Sequence, residues 1–244
     1  MRFFFILFFI HYIISSCSEM QQIANQIPVE ILNKEGIGKV SNAEIGNGLK
    51  QALDIGVVDG VLNLGKKDGF LKNELVKILL PEELQGVDKA LRNIGLASLA
   101  DKGLNLLNRA AEDAVTEATP IFRNAISDMN INDASKILLG SNNSATEYLR
   151  SSTSSQLVSA FEPKIQNSLG KVGADKVWEQ IITKYNLISG EKINTNLTAY
   201  VTEQSVKGVF KMIANKEADI RSNFGARSTD LLKKVFALQD KQRL

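Results

Sequence analysis

Apolar residues recur every three or four positions through most of the chain, which is the spacing of one face of an α-helix. The clearest stripe steps by four residues, at Leu157, Phe161, Ile165 and Leu169. No stretch shows the strict alternation of a half-buried strand, and no repeat of fixed period occurs. The pattern predicts an all-α protein, a multi-helix bundle that forms a single domain.

Local signals predict where several of these helices begin and end. Pro81 is expected to separate two helices, the first of which lies within residues 66–80. Thr119-Pro120 is expected to break another helix, and Pro163 to kink or restart the helix that carries the stripe. A capping residue followed three positions later by a polar partner marks a helix start, and such pairs begin at Ser41, Asn130, Ser144 and Thr153.

The first residues of the chain form a different pattern. Phe3 to Ile14 is a run of 12 residues that is apolar except for His11, and Arg2 precedes it. About 20 apolar residues are needed to cross a bilayer, whereas a run of about 10–14 has the length of a signal-peptide core. The run therefore predicts a signal peptide over residues 1–16.

The end of this run predicts lipid attachment. Ile14-Ser15-Ser16-Cys17 resembles the bacterial lipobox, whose cysteine receives a diacylglycerol before the leader is removed and the new N-terminus is usually acylated. Stable anchoring needs two hydrophobic signals, and the acyl chains on Cys17 would supply them. The alternative is ordinary secretion, with cleavage after Ser16 and an unmodified thiol.

This interpretation sets the expected layout and location of the mature chain. Residues 17–40 comprise the lipidated cysteine and a linker to the membrane, and residues 41–240 form the helical domain. Ser18 is not the aspartate that retains enteric lipoproteins at the inner membrane. We therefore expect an exported outer-membrane lipoprotein that faces the periplasm or the cell surface.

Charge and residue usage exclude several functions. Without residues 1–16 the chain has 28 Lys and Arg (29 minus Arg2) against 27 Asp and Glu, so no basic field exists to attract nucleic acid. The one histidine lies in the leader, and the one cysteine is expected to carry lipid. A chain without imidazole or free thiol cannot use Ser-His-Asp or Cys-His catalysis or build the usual zinc sites. We expect no cofactor and no metal site.

Several short motifs lie along the predicted helices: Asn-Arg-Ala-Ala-Glu at 108–112, Met-x-x-x-Asp-Ala-x-x-Ile-Leu-x-Gly at 129–140, Ala-Thr-x-Tyr-x-Arg at 145–150, the segment 200–210, and Glu217 with Ile220-Arg221. Together they resemble the bacterial exported-protein family called domain of unknown function 4197, over most of residues 40–238. The resemblance implies a small helical periplasmic or lipoprotein domain, and it implies no particular activity.

The polar residues of these motifs are the candidate site. They form either a polar network or a ligand pocket, and they are Asn108, Arg109, Glu112, Asp133, Tyr148, Arg150, Tyr200, Glu217 and Arg221. Arg109 and Glu112 are neighbours on one helix face, and a buried charge without a partner costs several kcal/mol. Arg109 is therefore expected either to hold an anionic ligand or, as the favoured interpretation, to join an inter-helix network with Glu217 or Arg221.

Two further site interpretations are weaker. Asp128, Asn130 and Asn132 alternate as in a calcium loop, but Asp133 and Leu139 stand where an EF-hand needs Gly and Glu. Paired carboxylates could hydrolyse a glycoside, and the acids available for such a pair are Asp68, Glu112, Asp133, Glu147 and Glu217.

The sequence thus favours a non-enzymatic binding or scaffold module with no catalytic residue. Its partner would be another envelope protein or an amphipathic small molecule in a groove between helices, such as one beside Trp178 and Tyr185. The alternative is a carboxylate-dependent envelope hydrolase. A hydrolase requires acids clustered in an open cleft, with one carboxyl pKa raised by burial, whereas a binding module requires an exposed apolar groove and acids held in ion pairs.

Overall fold

The computed structural model divides the chain into two units, Met1–Ser41 and Asn42–Leu244, and every helix described below belongs to the second. The structure describes residues 40–80, 85–93, 95, 97–171, 173–176, 179, 183, 186 and 196–242. The predictions for the leader, Cys17 and the linker, and for a groove beside Trp178 and Tyr185, lie outside the described residues.

The described residues form eight α-helices, one short 3-10 helix and no strand, which confirms the all-α prediction. The helices are α1 (Asn42–Leu64), α2 (Gln85–Asn93), α3 (Ala97–Val115), α4 (Ala118–Asp128), α5 (Ile131–Leu138), α6 (Ser144–Gly170), α7 (Leu197–Ser222), the 3-10 helix η1 (Phe224–Ala226) and α8 (Asp230–Gln242).

Two long helices organise the bundle. α6 packs against α3, α4 and α7, and α1 packs against α4, α5, α7 and α8. The predicted stripe of α6 is fully buried at Leu157, Phe161 and Ile165, because side chains four residues apart share one helix face. Phe122 of α4 meets Phe210 of α7 edge to face, with ring centroids 5.8 Å apart. This interior is the single helical core that the periodicity predicts.

The predicted boundaries of the helices are partly correct. Asn130 is the N-cap of α5 and accepts a hydrogen bond from the Asp133 N–H at 2.9 Å. The chain also breaks just before Pro120, between α3 and α4. The capping role predicted for Thr153 is wrong, because α6 continues through it and its hydroxyl donates to the Leu149 carbonyl at 2.6 Å. α6 also passes through Pro163 without restarting.

Residues 65–80, hereafter the 65–80 segment, are the largest departure from the predicted helices. They form turns and chain without regular secondary structure, so the helix predicted before Pro81 is wrong. Asp68 has a φ of 70°, and a Cβ on Gly69 would lie 2.4 Å from the carbonyl oxygens of Asn63 and Leu64. Only glycine fits at position 69, and its missing side chain allows the chain to turn sharply at the end of α1.

No helix in the described part of the chain is both long enough and apolar enough to cross a bilayer.

Candidate functional site

The candidate residues form two separate clusters and three isolated positions. The anchor cluster holds the 65–80 segment against α3 and α7, and it consists of Asp68, Asn108, Arg109, Glu112 and Tyr200. The capping cluster joins the ends of α5, α6 and α7 to α8, and it consists of Glu217, Arg221, Arg227, Gln239 and Asp240.

Glu112 is the buried acid of the anchor cluster. It is 4% exposed, and its Oε1 accepts hydrogen bonds from the backbone N–H groups of Phe70 (3.1 Å) and Leu71 (3.4 Å). Its Oε2 accepts from Arg109, which also donates to Asp68. Arg109 thus contacts Glu112 as its helix spacing predicts, but its second partner is Asp68, and the predicted contact with Glu217 or Arg221 is wrong.

The charges around Asp68 keep its carboxyl group ionised. Its pKa is lowered by hydrogen bonds from Lys72 and then from Arg109, and the Lys72 Nζ lies 2.8 Å from Asp68 Oδ2. The pKa of Arg109 is raised, first by its bond to Asp68. A general acid needs the opposite shift, a carboxyl group kept protonated near neutral pH.

Asn108 and Tyr200 hold the far end of the 65–80 segment. Asn108 is fully buried, and its side-chain amide accepts from the Ile78 N–H and donates to the Ile78 carbonyl, both at 2.9 Å. The Tyr200 hydroxyl donates to the Leu79 carbonyl at 2.6 Å. These bonds satisfy backbone groups that a helix would otherwise pair internally, so the segment is fixed without being helical.

Close packing fixes the middle of the same segment. The Phe70 ring is fully buried, and a Cβ on Gly208 of α7 would lie 2.8 Å from its Cε1. Gly208 therefore makes room for Phe70.

Beside the fixed end of the segment lies a groove of about 490 Å³. Its walls come from the 65–80 segment, α2 and α3, and the lining residues are Leu79, Leu80, Gln85, Asp88, Lys89 and Leu104. Leu79 is 51% exposed, although its own carbonyl is held by Tyr200. The volume lies within the range of about 300–1,000 Å³ that small-molecule sites occupy.

Glu217 caps α6 from outside that helix. Its Oε1 accepts from the Ala145 N–H (3.0 Å), and its Oε2 accepts from the Thr146 N–H (2.8 Å) and the Thr146 hydroxyl (2.7 Å). The first N–H groups of a helix have no partner within it and favour a negative charge. The cap that the sequence predicts at Ser144 is therefore wrong: the capping group is Glu217, and no side chain at the N-cap position bonds the helix.

Arg221 binds the opposite kind of helix end. It is 2% exposed, and it donates to the carbonyls of Ile137 and Leu138 in the last turn of α5, at 2.8 and 2.9 Å. It also donates to Glu217 at 2.9 Å and to Gln239 of α8 at 2.8 Å. One ion pair on α7 thus joins the end of α5 to the start of α6 and holds α8 beside them.

Sequence reasoning missed Arg227, Gln239 and Asp240. The Arg227 guanidinium donates to the Ile220 and Arg221 carbonyls, both at 3.1 Å, at the end of α7. It also donates to both oxygens of Asp240, at 2.6 and 2.9 Å. The only signal in the sequence was that Gln239 and Asp240 directly follow the final apolar stripe. Polar residues at that place are equally typical of a solvent-exposed helix end.

The capping cluster leaves little room for a ligand. A cavity of about 20 Å³ borders Glu217 and Arg221, and its other lining includes Leu49, Leu53 and Phe236. That volume accommodates about one water molecule. Of the two alternatives for the candidate residues, Glu217 and Arg221 therefore form a polar network rather than a ligand pocket.

The remaining candidates lie apart from both clusters. Asp133 bonds Asn130 in the first turn of α5. The Tyr148 hydroxyl donates to the Ala125 carbonyl at 3.3 Å, and its pKa is raised by burial and then by nearby Asp133. The Arg150 guanidinium lies 4.5 Å above the Phe210 ring. In the described part of the chain, no three His, Cys, Asp or Glu side chains are grouped to hold a metal.

Comparison with known proteins identifies the family. The family described as Protein of unknown function (DUF4197) matches residues 39–237, which is most of the chain. No curated protein and no solved structure matches the chain. The match confirms the resemblance carried by the motifs at 108–112, 129–140 and 145–150. The chain belongs to the DUF4197 family of proteins of unknown function.

Proposed function

We propose that this protein is a lipid-anchored module of the bacterial cell envelope that binds an amphipathic small molecule. The ligand lies in the groove between the 65–80 segment, α2 and α3. The protein is exported and stays at the outer membrane through acyl chains on Cys17. It performs no chemistry on its ligand.

The groove is the observation that carries this proposal. Of its described lining residues, three are leucines, Leu79, Leu80 and Leu104, and three are polar or charged. An apolar wall with a few polar groups is the usual composition of a small-molecule site. The wall is also preorganised, because Asn108 and Tyr200 fix the backbone at Ile78 and Leu79. A fixed wall lowers the entropic cost of binding.

The state of the acids supports binding over hydrolysis. Glu112 and Glu217 are each bonded to an arginine and to backbone N–H groups. Asp68 lies between Arg109 and Lys72, which lower its pKa. A glycosidase needs one carboxyl free to donate a proton and a second facing it across the sugar. In the described residues these three acids are committed to other groups.

The groove is tested by replacing one exposed leucine. Leu79→Asp puts a charge on the wall, and we expect it to weaken binding of a single-chain amphiphile such as monolaurin about tenfold or more, since apolar contact is lost. Isothermal titration calorimetry measures the affinity below the micellar concentration. The protein comprises residues 17–244 with Cys17→Ala, so that its own lipid does not compete.

The matched control is Leu62→Asp. Leu62 is 59% exposed on α1 and does not line the groove, so this change should leave the affinity unaltered. Equal loss of binding in both variants, or no binding by the unaltered chain, would refute the groove as a ligand site.

The anchor is tested at Cys17. We expect mass spectrometry of the N-terminal peptide from native membranes to find acyl chains on residue 17. Cys17→Ala should abolish that modification and move the protein out of the detergent phase, because the chains supply the membrane affinity. Ser18→Ala is the control and should keep both properties. A processed chain that begins at residue 17 without acyl groups would contradict the anchor.

A further inference from the structure

The charged residues that line the groove differ in whether another side chain of the protein already pairs with them. Among the described residues that line it, they are Asp88 and Lys89, neighbours in α2. Both carboxylate oxygens of Asp88 are held by Arg92, whose Nε lies 2.8 Å from Oδ2 and whose Nη2 lies 3.2 Å from Oδ1. Arg92 also bonds Asp101 at 2.7 Å. A positively charged ligand would therefore have to compete with Arg92 for Asp88.

Lys89, unlike Asp88, is available to pair with a charged ligand. Its side chain is exposed, and it forms no ion pair with any carboxylate in the described part of the chain. Its ammonium group carries three donors and a charge. A negatively charged head group can approach it without displacing an existing bond.

From this arrangement we propose the chemical class of the ligand: a single-chain amphiphile with an anionic head, which is a carboxylate or a phosphate. Its chain lies along Leu79, Leu80 and Leu104, and its head meets Lys89. This inference rests on the proposed function, because it names the ligand of the same groove. The apolar wall supplies most of the affinity, and Lys89 supplies the selectivity for charge.

The expected selectivity is modest in size and clear in sign. An ion pair at an exposed position changes affinity by at most about fivefold, so laurate should bind more tightly than monolaurin by a factor of up to about five. Dodecyltrimethylammonium should bind more weakly than both. Added salt should reduce the advantage of laurate, since an exposed pair is screened, and should leave monolaurin almost unaffected.

The test measures these three amphiphiles, which share a chain length, on the mature chain described above. Lys89→Gln should make laurate and monolaurin equal, and Lys89→Glu should make dodecyltrimethylammonium the tightest of the three. Lys102→Glu is the control, because Lys102 is exposed on α3 and does not line the groove. It should preserve the order found with the unaltered chain.

The outcomes separate the two proposals. Equal binding of laurate and monolaurin, a preference for the cationic amphiphile, or a preference that survives Lys89→Glu would overturn the anionic ligand while the groove remains. Binding that Leu79→Asp does not weaken, or no binding of any amphiphile, would overturn the proposed function itself. For a phosphate head, lysophosphatidic acid replaces laurate, and tighter binding than laurate would identify phosphate as the preferred head.

Discussion

Glu217→Gln is expected to lower the free energy of unfolding by about 3–5 kcal/mol, the cost of breaking a buried ion pair by removing one charge. The change alters almost nothing in shape. Glu217 Oε1 accepts from the Ala145 N–H and from Arg221, and Oε2 accepts from the Thr146 N–H and hydroxyl. An NH₂ group in place of Oε1 then faces two donors, one in place of Oε2 still faces the Thr146 N–H, and in either case Arg221 loses its counter-charge.

The same helix provides a control of the same chemistry. Glu203 pairs with Lys207 on α7 at 2.6 Å, and the two side chains are mostly exposed. Glu203→Gln should cost less than about 0.5 kcal/mol, because an exposed pair one helical turn apart contributes little. Urea denaturation monitored by circular dichroism measures both variants. A Glu217→Gln loss as small as that of Glu203→Gln would show that the capping cluster does not stabilise the fold.

A double variant separates the charge of the pair from its capping role. Replacing a buried ion pair by apolar residues of similar volume is often neutral or stabilising. The double variant Glu217→Leu with Arg221→Met, however, also removes the partners of several backbone groups. These are the N–H groups of Ala145 and Thr146 and the carbonyls at the end of α5. We expect no recovery of stability beyond the single variant. Recovery to the unaltered value would mean that those helix ends find other partners.

The part of the fold that the sequence predicts is the part that depends on local periodicity. The stripe from Leu157 to Leu169 lies buried along α6 because residues four apart share a face. Asn130 caps α5 because its partner is only three residues away. In both cases the relevant contacts are fixed by helix geometry within a few residues.

The failures at residues 66–80 and at Ser144 have one physical origin, which is hydrogen bonding between residues distant in sequence. Residues 66–80 have helix-forming composition, but Glu112, Asn108 and Tyr200 bond their backbone from 30 to 121 positions away. Ser144 has the spacing of a capping box, but Glu217 is bonded to the N–H groups next to it from 71 and 72 positions away. Such partners leave no periodic signal in a single sequence.

The motifs identified the candidate residues, but the sequence did not predict which of these residues contact one another. The sequence correctly paired Arg109 with Glu112, but it added Glu217 or Arg221 to that pair, whereas the structure adds Asp68. The groove was not predicted at all in its observed position. Its wall is the 65–80 segment, so a prediction that makes this segment helical also removes the groove.

Asn108→Leu is expected to lower the free energy of unfolding by about 3 kcal/mol and to weaken ligand binding at the same time. Leucine has a similar size and no polar atoms, so the Ile78 N–H and carbonyl lose their partners inside the protein. Each buried polar group left without a bond costs about 1–3 kcal/mol. Loss of the bond from Asn108 to the Leu104 carbonyl, at 2.8 Å, adds little to this cost, because that carbonyl lies within α3 and can accept a hydrogen bond from the helix backbone.

Asn105→Leu is the matched control, one turn earlier on the same helix. Asn105 is only partly buried, and its amide donates to the Asp101 carbonyl at 2.8 Å. Its replacement should change stability by less than about 0.5 kcal/mol.

Amide hydrogen exchange adds a local readout: Asn108→Leu should speed exchange in the 65–80 segment, and Asn105→Leu should not. Because Leu79 and Leu80 follow Ile78 directly, loss of that restraint should loosen the groove wall and reduce amphiphile affinity in chains that are still folded. Unchanged exchange and affinity in Asn108→Leu would mean that packing around Phe70, rather than the Asn108 amide, holds the wall in place.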